Sequence, residues 1–156
     1  MSNAFAELGL TPTFELSQAE LDARYLTLVM GLHPDRFIGY PPTEQAIAET
    51  KTAAINQAYQ LLKNPASRAR CLLESQGIDL EGTESKEVLF EMMELREQLA
   101  NLKTPEEVKA FAVELQQLFS DACALFAESL SAPDSLRLTY LDKIANEIKN
   151  HAFTIS

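Results

Sequence analysis

The sequence predicts an all-α protein built from two helical units. Apolar residues recur at spacings of three and four along most of the 156 residues, which is the helix period. Capping residues and prolines interrupt this pattern at intervals that suit helix ends. A short acidic stretch with two glycines, residues 77–84, separates the two halves. We therefore predict a first domain over residues 1–76, a linker over 77–84 and a second domain over 85–156.

A helical hairpin with short accompanying helices is predicted for the first domain. Ser17 is a candidate N-cap, and Glu20 can complete a capping box with it. This helix ends near Gly31, and a second long helix, which we expect Thr43 to cap, runs to about Lys63. A shorter helix follows to about residue 75. The predicted buried positions of the two long helices are Leu21, Tyr25, Leu28, Val29, Leu32, Ile47, Ala54, Ile55, Ala58, Tyr59, Leu61 and Leu62.

Between the two long helices stands the sequence Leu32-His33-Pro34-Asp35-Arg36. Pro34 lacks an N–H and pushes the preceding residue away from helical angles, so the helix cannot continue through it. We therefore place His33 and Asp35 on an interhelical loop. Taken alone, the tripeptide is compatible with an ordinary turn, a fragment of a catalytic pair or a contact for a partner.

Three further helices are predicted in the second domain, over about residues 85–102, 104–130 and 133–152. Thr104 and Pro105 form a cap followed by proline at the first helical position. Short connections that contain proline predict an antiparallel three-helix bundle. The predicted core positions of its second and third helices are Val108, Phe111, Leu115, Leu118, Phe119, Ala122, Leu125, Phe126, Leu141, Ile144, Ala145 and Ile148.

The first helix of this bundle carries two stripes. Its core face holds Val88, Met92, Leu95, Leu99 and Leu102, within a sector of about 80° at 100° per residue. The opposite side mixes apolar and acidic residues: Phe90 and Met93, with Leu89 at the flank and Glu94 and Glu97 beside them. Either the first domain or another copy covers this second stripe, or it binds a partner with an apolar spot ringed by basic charge.

Charge and composition argue against several classes of function. The net charge is −10, and residues 76–156 hold 7 Lys/Arg against 15 Asp/Glu. Such acidity argues against nucleic-acid binding and suits a basic protein partner. Cys71 and Cys123 form no metal-type pair, and we expect both to be buried thiols. We find no signal peptide and no apolar run long enough to span a membrane, so a cytoplasmic location is expected.

The motifs together resemble a known family. A helix, His-Pro-Asp and then a helix that ends in residues 55–65, Ile-Asn-Gln-Ala-Tyr-Gln-Leu-Leu-Lys-Asn-Pro, resemble a J-domain. Residues 64–73 and the opening "Phe-x-x-x-Gly-Leu" at residues 5–10 are similar to the HscB family of iron–sulfur co-chaperones. Residues 94–99, Glu-Leu-Arg-Glu-Gln-Leu, and residues 138–143, Leu-Thr-Tyr-Leu-Asp-Lys, resemble that family's C-terminal domain.

The resemblance implies a function and two partners. J-domains bind the ATPase module of heat-shock protein 70 family chaperones and stimulate ATP hydrolysis there; HscB proteins deliver the iron–sulfur scaffold IscU to the chaperone HscA. The resemblance places the chaperone contact at His33, Pro34 and Asp35, with Arg24 and Arg36 as the basic residues beside them. This basic charge is sparse for a J-domain, which favours a dedicated chaperone. The implied scaffold contacts are Leu89, Phe90, Met93, Glu94, Glu97 and Tyr140, and Asn101 stands where the family has an acidic residue.

Two alternatives remain open at this stage. His33 and Asp35 could serve an enzyme, but the sequence lacks a nucleophile elbow, a phosphate loop and a dinucleotide fingerprint, and the other histidine, His151, lies far along the chain. A J-domain co-chaperone with a different client, or a scaffold without a chaperone partner, is the second alternative. No residue resembles a cluster ligand, so we expect no cofactor. A monomer is expected, and the sequence leaves the oligomeric state open.

Overall fold

The structure, a computed structural model, describes the backbone of residues 3–155 and the side chains of residues 3–150; the side chain of His151 lies outside the described part. Across these residues the backbone forms helices, turns and loops, with no strand. The α-helices are α1 (Ala4–Glu7), α2 (Gln18–Gly31), α3 (Pro42–Lys63), α4 (Pro65–Ser75), α5 (Lys86–Ala100), α6 (Pro105–Ser129) and α7 (Ala132–Ile155). The chain divides after Gly77 into two compact units. The all-α prediction is confirmed.

In the first unit, α3 packs against α1, α2 and α4. The core lies where the start of α2 meets the end of α3, and its largest fully buried side chains are Phe5, Leu8, Leu21, Leu62 and Leu73. Burial decreases toward the other end of the hairpin, where the α2 side chains are half-buried or exposed. The interhelical segment therefore projects away from the core of its unit.

A polar cluster fixes the register of α2 on α3. The rings of Tyr25 and Tyr59 stack with centroids 4.3 Å apart. The Tyr59 hydroxyl donates to Asp22 Oδ1 at 2.6 Å, and Gln18 Nε2 donates to the same oxygen at 2.7 Å. These donors lower the pKa of the Asp22 carboxyl, because they favour its charged form. The Tyr25 hydroxyl donates to Asn56 Oδ1 at 2.6 Å, one turn earlier on α3.

The helix starts follow the predicted chemistry with one exception. Ser17 Oγ accepts from the Glu20 N–H at 3.1 Å, and Thr104 Oγ1 accepts from the Glu107 N–H at 3.2 Å. The prediction that Thr43 caps α3 is wrong, since the helix begins at Pro42 and has no side-chain cap. Proline's fixed φ and missing N–H suit the first helical position, so the helix starts two residues earlier than a cap at Thr43 predicts.

Three predicted core residues are exposed instead: Ile47 at 55%, Leu61 at 37% and Leu125 at 52%. Ile47 and Leu125 lie about 65–75° from the centre of their helix's buried face, at 100° per residue, and Leu61 lies farther still. A spacing of three or four places a residue near the buried face of its helix. It does not decide which flank of that face the neighbouring helices cover.

In the second unit, α7 packs along α6 and against α5. Two ion pairs join α5 to α7. Arg137 contacts both oxygens of Glu91 at 2.7 and 3.0 Å, and Arg96 Nη2 lies 3.1 Å from Glu147 Oε1. The later residue of α5 pairs with the later residue of α7, so these helices run parallel. With short connections to α6, the unit is the predicted antiparallel three-helix bundle.

Within the described residues, no helix is long and apolar enough to cross a membrane. No group of three or more His, Cys, Asp or Glu side chains there is placed to hold a metal ion. Cys71 and Cys123 are half-buried, so the prediction that both thiols are buried is wrong, and partial burial raises the pKa of the Cys71 thiol above its usual value.

Because Tyr59 donates a hydrogen bond to Asp22, we predict that the stability difference between wild type and a Tyr59 variant depends on pH. We expect Tyr59→Phe, which keeps the ring stack, to lower the thermal midpoint at neutral pH. Because the pKa of Asp22 is lowered on folding, its contribution is present above the usual aspartate range and is lost as the pH falls through the folded pKa. The difference from wild type therefore narrows in acid, as thermal circular dichroism would show. Tyr40→Phe, at an exposed loop position, is the matched control, and a difference of equal size at both pH values contradicts the prediction.

The two ion pairs between α5 and α7 predict unequal costs of removal. Arg137 and Glu91 are 17% and 31% exposed, whereas Arg96 and Glu147 are 50% and 44% exposed. We expect Arg137→Met to lower the free energy of unfolding by about 1–2 kcal/mol, because it leaves a partly buried carboxylate unpaired. Arg96→Met, the matched control, is expected to cost less than about 0.5 kcal/mol. Urea denaturation measures both, and equal losses would show that burial does not set the strength of these pairs.

Candidate functional site

The segment between α2 and α3 is a structured turn. α2 ends at Gly31, and Pro34–Phe37 forms one turn of 3₁₀ helix within the predicted interhelical loop. His33 Nδ1 accepts the Asp35 backbone N–H at 3.2 Å, so His33 caps this turn with its own side chain. The side chains of His33 and Asp35 are 57% and 81% exposed. Pro34 therefore ends one helix and starts the turn that displays its two neighbours.

The geometry of His33 and Asp35 differs from that of a catalytic pair. In such a pair Nδ1–H donates to the carboxylate, which orients the ring for base catalysis. Here Nδ1 is the acceptor of a backbone bond, and Asp35 Oδ2 lies 3.6 Å from it, beyond hydrogen-bond distance. A neutral His33 ring therefore carries its proton on Nε2. The turn offers one ring donor and one carboxylate to a partner.

The loop that follows is held by the first turns of α3. Gln45 Nε2 donates to the carbonyls of Tyr40 at 2.9 Å and Phe37 at 3.3 Å. The rings of Phe37 and Tyr40 meet edge to face at 5.3 Å. Gly39 has φ of +85°, which a residue with a side chain adopts only with strain. The sequence motifs did not point to Gln45; the available signal was a polar side chain one turn into a helix that starts with proline.

A small cavity of about 190 Å³ lies beside the turn. Leu32, Pro34, Phe37 and Ala48 supply its apolar lining, and Glu49 is among its polar neighbours. Ligand pockets usually measure about 300–1,000 Å³, so this cavity is small for a substrate or cofactor. It adds an apolar depression next to the exposed polar groups of the turn.

The structure separates the two predicted basic contacts. Arg36 lies on the turn, and its N–H donates to the His33 carbonyl at 2.9 Å. Arg24 lies nine residues before His33, about 14 Å away along a helix. Its Nε donates to the Leu8 carbonyl at 2.8 Å, and a Cβ at Gly9 would come within 2.5 Å of its guanidinium. Arg24 thus ties α2 to the end of α1 and lies apart from the turn.

The second surface is the outer face of α5, called here the α5 stripe: Leu89, Phe90, Met93, Glu94 and Glu97. The three apolar members are 46%, 64% and 69% exposed, and both glutamates are exposed. The opposite face of α5 is buried, with Val88, Met92, Leu95 and Leu99 in the core. Three large apolar side chains on the exposed side of a short helix cost hydration free energy unless a partner covers them.

Helix geometry places Tyr140 on the same edge as part of the α5 stripe. Tyr140 and Glu147 lie within about 20° of each other around α7, so they share a flank. Glu147 reaches Arg96, which in turn lies within about 20–60° of Leu89 and Met93 around α5. The half-buried Tyr140 therefore belongs to the flank that Leu89 and Met93 occupy.

Charge along this surface is uneven. Lys143 Nζ lies 5.3 Å from the centroid of the Tyr140 ring, so a cation stands at the Tyr140 end. At the far end of α5, Asn101 is exposed and ends the helix, with its backbone N–H donating to the Glu97 and Gln98 carbonyls. The acidic charge of the stripe is thus concentrated at Glu94 and Glu97.

Each of the two units matches a known protein family. Residues 3–71 match the DnaJ domain family, and residues 84–149 match the family described as the HSCB C-terminal oligomerisation domain. The co-chaperone protein HscB homolog of Mannheimia succiniciproducens is 32% identical over 96% of this chain and 95% of its own. The homolog of the same name from Pasteurella multocida is 33% identical over 83% of this chain and 80% of its own.

Two solved structures share the fold. The chaperone HscB from Vibrio cholerae aligns with a TM-score of 0.84 at 29% identity, covering 99% of this chain and all of its own. Human co-chaperone protein HscB aligns with a TM-score of 0.80 at 24% identity, covering 96% of this chain and 81% of its own, which shows the fold alone. The similarity extends through both helical units, and the chain therefore belongs to the HscB family of J-domain co-chaperones.

Proposed function

We propose that this protein binds an IscU-type iron–sulfur scaffold through its second unit and an HscA-type chaperone through its first. It delivers the scaffold to that chaperone and stimulates the chaperone's ATPase during iron–sulfur cluster assembly in the cytoplasm. Membership of the family implies a partner among the heat-shock protein 70 chaperones. HscA and IscU are the partners that the resemblance to HscB proteins implies, and the surfaces of this chain are compatible with them.

The turn at His33, Pro34 and Asp35 is the proposed chaperone contact, with Arg36 beside it. Asp35 presents an exposed carboxylate that can accept a charge-assisted hydrogen bond from an arginine of the partner. The cap between His33 and Asp35 and the fixed φ of Pro34 hold the turn before docking, so little conformational entropy is lost on binding. Arg24, engaged with α1, is proposed as a peripheral member.

The α5 stripe with Tyr140 is the proposed scaffold contact. The observation that carries the proposal is the pairing of Phe90 and Met93, 64% and 69% exposed, with two glutamates on one helix face. Such a face suits a partner whose apolar spot is surrounded by basic residues. Large apolar side chains at the centre of a contact usually supply most of its binding free energy.

A different client is the second candidate function, because the turn would serve any client equally. Calorimetry with a purified IscU-type scaffold separates the two. Absence of measurable binding by the wild-type protein would refute the iron–sulfur assignment and leave the J-domain function standing.

Replacement of His33 tests the chaperone contact. We expect His33→Gln to abolish stimulation of HscA-type ATP hydrolysis, because the turn loses its ring cap and its Nε2–H donor. Scaffold affinity, measured by calorimetry on the same preparation, is expected to remain within about twofold of wild type, since the change lies in the other unit. Full stimulation by this variant would place the chaperone contact elsewhere.

The double replacement Phe90→Ala with Met93→Ala tests the scaffold contact. We expect scaffold affinity to fall at least about tenfold, the equivalent of about 1.4 kcal/mol, since two central apolar contacts are lost. Stimulation of the chaperone by the variant alone is expected to persist.

Val113→Ala provides the matched control for this experiment. Val113 is 69% exposed, like Met93, but lies on α6 outside the proposed contact. An equal loss from Val113→Ala, or no loss from the double variant, would disprove the assignment of the α5 stripe.

A further inference from the structure

Two consecutive turns lie between α2 and α3. The first is the 3₁₀ turn that begins at Pro34, and the second runs from Phe37 to Tyr40, where the Tyr40 N–H donates to the Phe37 carbonyl at 3.0 Å. Ile38 has φ of −60° and ψ of 125°, and Gly39 has φ of +85°. These angles define a type II turn, with glycine at the position where φ must be positive. Because Phe37 belongs to both turns, the orientation of the second turn constrains the first.

Gln45 of α3 holds the second turn at both of its ends. One nitrogen, Nε2, donates to the Tyr40 carbonyl at 2.9 Å and to the Phe37 carbonyl at 3.3 Å. Among the side chains that the structure describes, these are the only hydrogen bonds that join α3 to residues 33–40. A primary amide suits this role, because its nitrogen carries two hydrogens and no charge.

Apolar packing between the first turn and α3 is incomplete. The cavity of about 190 Å³ beside the turn is lined by Pro34 and Phe37 from the turn and by Ala48 and Thr52 from α3. Atoms that face a cavity lack partners across it, so dispersion attraction contributes less there to holding the turn. The two hydrogen bonds from Gln45 are therefore a directional restraint where packing alone is weak.

We propose that Gln45 is a positioning residue for stimulation of the chaperone's ATPase. Its amide fixes the second turn on α3 and thereby holds the His33 ring donor and the Asp35 carboxylate in the arrangement that the chaperone binds. The inference rests on the proposed function and adds to it a residue that acts without touching the partner. Gln45 acts before docking, through the fraction of molecules in which the turn is correctly arranged.

Positioning residues and contact residues affect different parameters of stimulation. When only a fraction of molecules has the competent arrangement, the apparent dissociation constant rises by the inverse of that fraction. Saturating concentrations still supply enough competent molecules. Loss of a positioning residue therefore raises the half-maximal concentration and leaves maximal stimulation unchanged, whereas loss of the contact residue His33 removes stimulation itself.

The variant Gln45→Met removes both hydrogen bonds at nearly the same side-chain length. Methionine and glutamine have similar helix propensity and residue 45 is exposed, so helix content by circular dichroism is expected to stay the same. We expect the half-maximal concentration for ATPase stimulation to rise about fivefold, the loss that hydrogen bonds of ordinary net strength produce. Maximal stimulation and scaffold affinity are expected to remain within about twofold of wild type.

The variant Gln45→Lys tests whether donation is what matters. Its ammonium group has three hydrogens for the two carbonyls, so we expect a half-maximal concentration within about twofold of wild type. The double variant Glu44→Gln with Gln45→Met adds the same single positive charge without a donor at position 45, and it controls for charge. A lysine variant as defective as the methionine variant, or an equal rescue by the double variant, would overturn the inference.

Nuclear magnetic resonance of the protein alone provides a readout that does not depend on the chaperone. In Gln45→Met we expect amide-nitrogen relaxation to show increased picosecond-to-nanosecond motion at Asp35, Gly39 and Tyr40, with the core amide of Leu62 unchanged. Unchanged relaxation together with reduced stimulation would make Gln45 a direct contact and contradict the positioning role.

The two readouts separate failure of the inference from failure of the proposed function. Increased motion of the turn with wild-type stimulation shows that the restraint exists and that the chaperone does not depend on it, which overturns the inference and leaves the proposed function intact. Absence of stimulation by the wild-type protein overturns the proposed function and the inference with it, whatever the relaxation shows.

Discussion

The packing of α3 against three other helices is the interaction on which the first unit depends. The second half of this 22-residue helix is anchored in the core, with Ile55, Ala58 and Leu62 buried, while its first half extends beyond that core. The Tyr25–Tyr59 stack and the Asp22 cluster align α2 beside the anchored half. The turn at Pro34 is therefore held at a distance by two paired helices, in a region where few side chains are buried. Regions of low burial open and adjust at low free-energy cost, which suits the docking role proposed for the turn.

In the second unit the proposed contact is one face of a helix instead of a turn. α5 is held to α7 by an apolar seam and by two ion pairs that lie on either side of it, Glu91–Arg137 and Arg96–Glu147. The bidentate and less exposed pair limits rotation of α5 about its own axis. A rotation of one residue, about 100°, would move Phe90 and Met93 out of the exposed face. The ion pairs thus act on the orientation of the α5 stripe as much as on stability.

Sequence patterns predicted features that local chemistry decides and missed those that depend on neighbours. The caps at Ser17 and Thr104 follow from the short reach between a side chain and the backbone two or three residues on. The prediction of a cap at Thr43 is wrong because Pro42 itself occupies the first helical position. The burial predicted for Ile47 and Leu125 is wrong because the packing of neighbouring helices decides which flank of a helix is covered.

Two further contacts join residues that are distant in sequence or belong to different elements, so a local pattern does not predict them: the hydrogen bond from Arg24 to the Leu8 carbonyl and the support of the loop by Gln45. In contrast, the apolar and acidic mixture on α5 was visible because it breaks the expected polar surface of a helix.

If the two proposed surfaces each bind a partner, weak contacts are sufficient for delivery. When one partner is bound to each unit, the intervening chain converts their encounter into an intramolecular event, with an effective concentration in the millimolar range for short linkers. The proposed chaperone contact then needs no large affinity of its own. The two proposed surfaces also differ in chemistry: the turn offers an exposed carboxylate and a ring donor, whereas the α5 stripe offers large apolar side chains beside two glutamates. A partner that fits one surface would leave polar groups unpaired or apolar groups uncovered on the other, so this difference favours a different partner for each unit.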